Sequence, residues 1–196
     1  MTPESNPNVD VKVVNGTLTI AQKQLPAPEA MTAQTYAGVA LTPKPVVKDG
    51  GKALVEGTDY TVSYANNVNA GTATVTVTGK GSYTGTKTAT FAINKAANTL
   101  TAKAKSKLLS IKHSKAKKKA QAIAKAKAFK VTKAVGKVTF KKSSGDKKIT
   151  VSSAGKVTVK KKHKKGTFTV KVKVMAAGNA NYKSATKTVT LKIRVK

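Results

Sequence analysis

GTATVTVTGKGSYTGTKTATFAI, residues 71–93, is answered later in the chain by GTFTVKVKVMAAGNANYKSATKTVTLKI, residues 166–193. Gly71, Tyr83, Lys87, Phe91 and Ile93 find counterparts in Gly166, Tyr182, Lys187, Leu191 and Ile193. Extra residues of the second copy fall between the glycine and the tyrosine and just after the tyrosine. Each copy reads as strand, loop, strand, because apolar and polar residues alternate with the period of a pleated chain. A unit that recurs at this distance predicts two successive small domains of one architecture, each long enough for its own sandwich.

Outward from the first copy, Ala73, Val75 and Val77 share one face with Ala89, Phe91 and Ile93, and threonines take the other. Upstream, DYTVSY (59–64) places Tyr60, Val62 and Tyr64 together as core. Ala53-Leu54-Val55 reads as a short strand before the Glu56-Gly57-Thr58 turn. TYAGVALTPKPVVK (35–48) reads as an extended edge segment, since Pro43 and Pro45 cannot donate to a ladder. QKQLPAP (22–28) reads as a linker, and residues 2–9 as a polar, unstructured lead. Between them, VKVVNGTLTI is a hairpin around Asn15-Gly16, the pair best suited to a two-residue turn.

The run GTDYTVSYANNVNAGTATVTVTGKGSYTGTKTATFAI closely resembles the MBG-type module, a bacterial immunoglobulin-like repeat of Gram-positive and actinobacterial surface proteins. The resemblance covers about residues 34–94. VVNGTLTI resembles the closing strand of such a module, which implies that the chain opens inside the tail of a preceding one. The resemblance specifies a fold far better than a function, because such sandwiches carry many unrelated roles.

In the second half, Val138 and Phe140, Val157 and Val159, Phe168 to Val174, and Val189 to Val195 keep period two. The intervening positions hold Lys137, Lys141, Lys156, Lys160, Lys171, Lys173, Lys192, Arg194 and Lys196. Lysine outward and β-branched inward is what a half-buried antiparallel sheet requires. Residues 103–130 leave two readings open. Ala and Lys favour a helix over 114–128, whereas the lack of a 3.6-residue apolar stripe, and a resemblance to lysine-rich immunoglobulin-like modules, favour short strands.

Composition then excludes several classes. There is no cysteine, hence no disulfide framework, thiol nucleophile or cysteine zinc site. No apolar run approaches a membrane helix, and MTPESNPNVD lacks the basic and apolar regions of a signal peptide. An exported protein would need its signal from sequence outside this chain. The net charge of +31 is lopsided: residues 1–95 hold 8 lysines against 6 acids, whereas residues 96–196 hold 30 Lys plus Arg against Asp146 alone, or +2 against +29. A field of that size attracts any nearby polyanion and weakens steeply with salt.

The candidate contact residues are therefore Lys117, Lys118 and Lys119, the cluster Lys160, Lys161, Lys162, Lys164 and Lys165, and the strand-borne Lys171 and Lys173. Their ordinary alternative is a solvated face that keeps sheet edges from pairing. Arg is nearly absent and no aromatic residue interleaves with the basic runs, so nucleic-acid binding would be independent of sequence. His113 and His163, inside lysine runs and far in sequence from any carboxylate, read as solvent-exposed. Glu56 and Asp59 could form an acid/base pair, but their position favours a turn with Asp59 capping it. Tyr83 and Tyr182 read as packing residues at the corner between the last two strands. No metal-ligand spacing, cofactor motif or catalytic constellation stands out.

The expectation is an all-β chain: two tandem immunoglobulin-like β-sandwiches preceded by a short strand or hairpin. Its divisions are a lead and remnant strand at 1–22, a first module at 23–95 and a lysine-rich second module at 96–196. The expected role is non-catalytic, structural and adhesive, on the surface or wall of a bacterium. The partner is an anionic polymer, teichoic acid or a host glycan, and the chain a monomeric part of a longer multi-module protein. The alternative is a sequence-independent nucleic-acid binder.

Overall fold

The computed structural model describes residues 9–14 and 17–196, with side chains from Ala21 onward. The Asn15-Gly16 turn and all of the expected lead except Val9 lie outside the described residues. The chain divides into two compact units, 1–95 and 96–196. It is all-β, two immunoglobulin-like sandwiches with a hairpin ahead of the first.

That hairpin consists of β1 (Val9–Val14) and β2 (Thr17–Gln24), antiparallel to each other. Next come β3 (Gln34–Thr35), β4 (Lys48–Asp49), β5 (Lys52–Ala53), β6 (Tyr60–Ala65), β7 (Gly71–Gly79), β8 (Tyr83–Thr84) and β9 (Thr86–Asn94). The main sheet of the first unit runs β3-β9-β7-β6, with β3 parallel to β9 and the other pairs antiparallel. The predicted alternation holds along β7, where Ala73, Val75 and Val77 are wholly buried. Phe91 and Ile93 join them from β9, and Ala89 is half-buried. In β6, Tyr60 is buried, while Val62 and Tyr64 are half-buried.

Residues 36–47 form no strand, contrary to the extended edge strand expected over 35–48. The prolines explain the difference. Having no N–H to donate, Pro43 and Pro45 contribute their carbonyls instead: Tyr64 donates its hydroxyl to Pro43 O at 2.8 Å, and Tyr60 to Pro45 O at 3.4 Å. The strand expected at 53–55 is likewise shortened to Lys52–Ala53. Leu54 turns inward and donates its N–H to Val47 O at 2.9 Å.

Tyr83 is buried under this layer and donates its hydroxyl to Asp49 Oδ2 at 2.9 Å, beside an ion pair of Asp49 with Lys23 at 2.8 Å. The Lys23 and Tyr83 hydrogen bonds hold the Asp49 carboxyl below the usual carboxylate range. Burial, then the hydrogen bond to Asp49, pushes the Tyr83 phenol up to about 12. Because the unfolded phenol ionises at a lower pH than the folded one, ionisation favours the unfolded chain, so the Tyr83 contribution is complete below pH 10 and lost as pH climbs toward 12. In an alkaline titration followed by tyrosinate absorbance, Tyr83→Phe should delete one late-ionising phenol and cost roughly 1 kcal/mol near neutrality. An unchanged late phase would show that another tyrosine carries it.

The second unit comprises β10 (Thr101–Ala104), β11 (Leu109–Ile111), α1 (His113–Lys118), β12 (Gln121–Ile123), α2 (Lys125–Ala128), β13 (Phe129–Thr132), β14 (Val138–Gly145), β15 (Ile149–Val151), β16 (Val157–Val159), β17 (Gly166–Ala176) and β18 (Ala185–Val195). Sheet β11-β18-β17-β14 packs against sheet β12-β16-β15 around one core, which includes Phe129, Phe140, Ile149, Val157, Val172 and Leu191. The open question over 103–130 resolves into both readings: short strands joined by two helices of about one turn. Neither helix has a side-chain cap or an acid in its first turn, so each depends on a single buried alanine, Ala116 or Ala128.

The repeat is visible in the sheets. β3-β9-β7-β6 and β11-β18-β17-β14 share order and strand direction. Gly71 and Gly166 open the two hairpins with φ of 148° and 143°. In sequence Ile93 matches Ile193, yet the ladder sets Ile93 opposite Gly71 and Val195 opposite Gly166. Relative to the sequence match, the pairing of the second hairpin is thus displaced by two residues, which preserves the inward face where a shift of one would have reversed it.

Candidate functional site

All ten candidate lysines are exposed, but the fold separates them. Lys171 and Lys173 project from the outer face of β17, opposite to the inward Val170, Val172 and Val174. There Lys173 stands between Lys141 of β14 and Thr188 of β18, and Lys171 faces Thr190. Across this face lysines are set beside threonines and Ser144.

The 160–165 cluster leaves the sheet. β16 ends at Val159, and the chain crosses to α1, where Lys162 donates its N–H to Ala116 O at 2.9 Å with φ of 55°. Lys160 donates its N–H to Lys148 O at 2.8 Å, and Lys148 Nζ returns a bond to Lys162 O at 3.0 Å. The lysine loop is therefore held from two sides by backbone atoms, and its ammonium groups remain outside.

His163 anchors the loop, and here the expectation of an exposed histidine is overturned: it is 2% exposed. Its ring meets Phe168 edge-on at 4.3 Å, Nδ1 lies 3.1 Å from Lys164 O, and Nε2 lies 3.2 Å from Asp146 Oδ1. Both partners are acceptors, so either can take a hydrogen bond from the ring nitrogen that carries the proton. Asp146, the single acid of this half, also accepts the Lys148 N–H at 2.7 Å, and its carbonyl accepts the Lys142 ammonium. Lys142 lies on the inward face by plain alternation, two residues after Phe140 and opposite Val172; the ladder then slips at Ser143, so that Ser144 faces Lys171. One signal for His163 was present in the sequence: it lies in phase with Val157 and Val159. Nothing local marked Asp146 as its partner. His113 is half-buried and lies near the same loop.

Two shallow concavities flank His163. One, of about 420 Å³, is lined by His113, Lys117, Lys162, His163 and Lys164. The other, of about 350 Å³, is lined by Asp146, Lys147, Lys148 and the same Lys162, His163 and Lys164. Lys118, Lys119, Lys160, Lys161 and Lys165 line neither. Sequence reasoning singled out Lys117, Lys162 and Lys164 as contacts and read Lys147-Lys148 as a further basic run, without placing that pair beside them.

In the first unit, Asp59 accepts the Val55 N–H at 2.8 Å, the capping role expected of it, and Glu56 is exposed. Among the described residues no three His, Asp or Glu side chains gather to hold a metal, and no helix is long and apolar enough to cross a membrane.

No family model and no curated protein matches the chain. Among solved structures it is similar to protocadherin gammaB7 EC3-6 (13% identity, TM-score 0.40, 87% of this chain and 48% of that one). It is also similar to mouse cadherin-23 EC22-24 (15%, TM-score 0.39, 88% and 63%). A third is the endo-fucoidan hydrolase MfFcnA4 of glycoside hydrolase family 107 (12%, TM-score 0.31, 87% and 28%). This chain spans less than two thirds of each. No activity or partner passes from them to it.

Proposed function

We propose that the chain is a non-catalytic structural and adhesive part of a bacterial surface protein, acting outside the cell as a monomeric section of a longer array. Its second unit contacts anionic polymer, either wall teichoic acid or a host glycan. The observation that carries the reading is the division of charge: +29 on one unit against +2 on the other, with all ten candidate lysines turned to solvent. Solubility alone is served by a net charge of about 2–8 on a small domain. The MBG-type resemblance of residues 34–94 supports the surface assignment.

Titration of the full chain with poly(glycerol phosphate) and with heparin should give affinities that fall linearly with the logarithm of salt concentration. About six charge contacts would lose on the order of a thousandfold between 50 and 200 mM salt. An absence of binding to both polymers at 50 mM salt would overturn the reading. Equal or tighter binding to duplex DNA would favour the nucleic-acid alternative, which the single arginine, Arg194, and the lack of exposed stacking rings argue against.

A further inference from the structure

We propose that the polymer is held at one built site, the paired concavities either side of His163, and not by the lysine-covered face of β17. The inference rests on the polyanion reading and deepens it. Five lysines, Lys117, Lys147, Lys148, Lys162 and Lys164, line the two concavities against one carboxylate, and that carboxylate is taken up by His163 and by the Lys148 N–H. Positive charge in a depression focuses its field, and an ammonium on an anchored loop has less freedom to lose on binding. The anchoring is specific: Lys162 N–H to Ala116 O, Lys148 Nζ to Lys162 O, and the buried imidazole between Lys164 O and Asp146.

The ligand chemistry follows from this layout. Both concavities share Lys162 and Lys164, so the groups they receive sit about one side chain apart. That suits successive phosphate or sulfate esters along a flexible chain. Lysine is a compact point charge without the planar fork that selects one oxyanion geometry, so it accepts such esters without fixing their orientation. On the β17 face the lysines alternate with threonines or, at Lys141 and Lys173, face each other directly. Like charges set directly opposite one another suit a solvated face. His163 is a positioning residue, sealed beneath the ammonium groups that make contact.

Two triple variants of the full chain that remove equal charge decide the matter: Lys117→Gln/Lys162→Gln/Lys164→Gln and Lys171→Gln/Lys173→Gln/Lys192→Gln. Affinity for poly(glycerol phosphate) and for heparin is measured at 50 mM salt. The first triple should lose more than tenfold, with the salt slope shallower by about two to three, and the second less than threefold. The polymer retained at the higher salt identifies the ester, phosphate or sulfate. As a readout independent of folding, acetylation of the unmutated chain with polymer present should spare Lys162 and Lys164 and leave Lys171 and Lys173 reactive. Equal losses in the two triples, or uniform protection, would overturn the site and leave the polyanion reading standing. Failure of the unmutated chain to bind either polymer would overturn both.

Discussion

Gly136→Ala should destabilise the protein by about 3 kcal/mol or more, among the most severe effects of any single methyl group added to it. Gly136 has φ of +82°, which alone costs an L residue about 1–2 kcal/mol. The larger part is steric: a Cβ there would sit 2.0 Å from Gly178 O and 2.8 Å from Gly178 N. Neither strand can retreat, because the β14–β17 ladder begins two residues away at Val138 and Ala176. The junction is further tied by Gly178 N–H to Val135 O at 3.0 Å, Ala177 N–H to Lys137 O at 3.0 Å and Asn98 Nδ2 to Val135 O at 2.9 Å. Gly50→Ala is the control. It has φ of +54° but open space around the position, so only the backbone penalty of about 1–2 kcal/mol should appear. If calorimetry gave the two variants equal melting temperatures, the close approach of Gly136 to Gly178 would not be what constrains the corner.

Phe140→Ala should remove about 3–5 kcal/mol from the second unit. Phe140 is 4% exposed, lies 4.7 Å from the Phe129 ring at a 46° tilt, and lies under Gly155, where a Cβ would come within 3.0 Å of it. It links the sheet containing β14 to β13, and Lys125 Nζ stands 5.6 Å from its centroid. A unit with few aromatic residues has little to refill the space, so the cavity term should remain largely unrelieved. For a domain of about 100 residues this corresponds to a melting point lower by roughly 15 °C or more. A double-mutant cycle with Phe129→Ala should return a coupling of about 0.5–1.5 kcal/mol beyond area burial. A drop of only a few degrees would mean that the core closes over the gap.

The two predictions draw on different kinds of information. Phe140 was marked as core by its place in a period-two run, whereas nothing adjacent to Gly136 announced that Gly178 would lie against it. The same contrast runs through the candidate site. That Lys171 and Lys173 face away from Val170, Val172 and Val174 was legible, because a strand places alternate residues on opposite sides whatever it packs against. That Lys162 and Lys164 would cross to α1 and settle around a buried histidine was not. Those positions depend on Ala116 and Asp146, remote in sequence and unrelated by any period. The proline segment shows the limit from the other side. The barrier to ladder pairing at Pro43 and Pro45 was readable, but their use as acceptors for Tyr60 and Tyr64 required the tyrosines to arrive from another strand.

By itself, then, the sequence determined the all-β class, the repeat, the inward face of each long strand and the concentration of charge in residues 96–196. All of these are carried by neighbours in the chain or by composition. Only the tertiary structure decided which lysines share a surface, the burial of His163, the pairing of that histidine with the one acid of its unit, and the mixture of short strands and single helical turns over 103–130. Each of these turns on contacts between residues that meet only after the sheets have packed, and their energies have no counterpart in local periodicity.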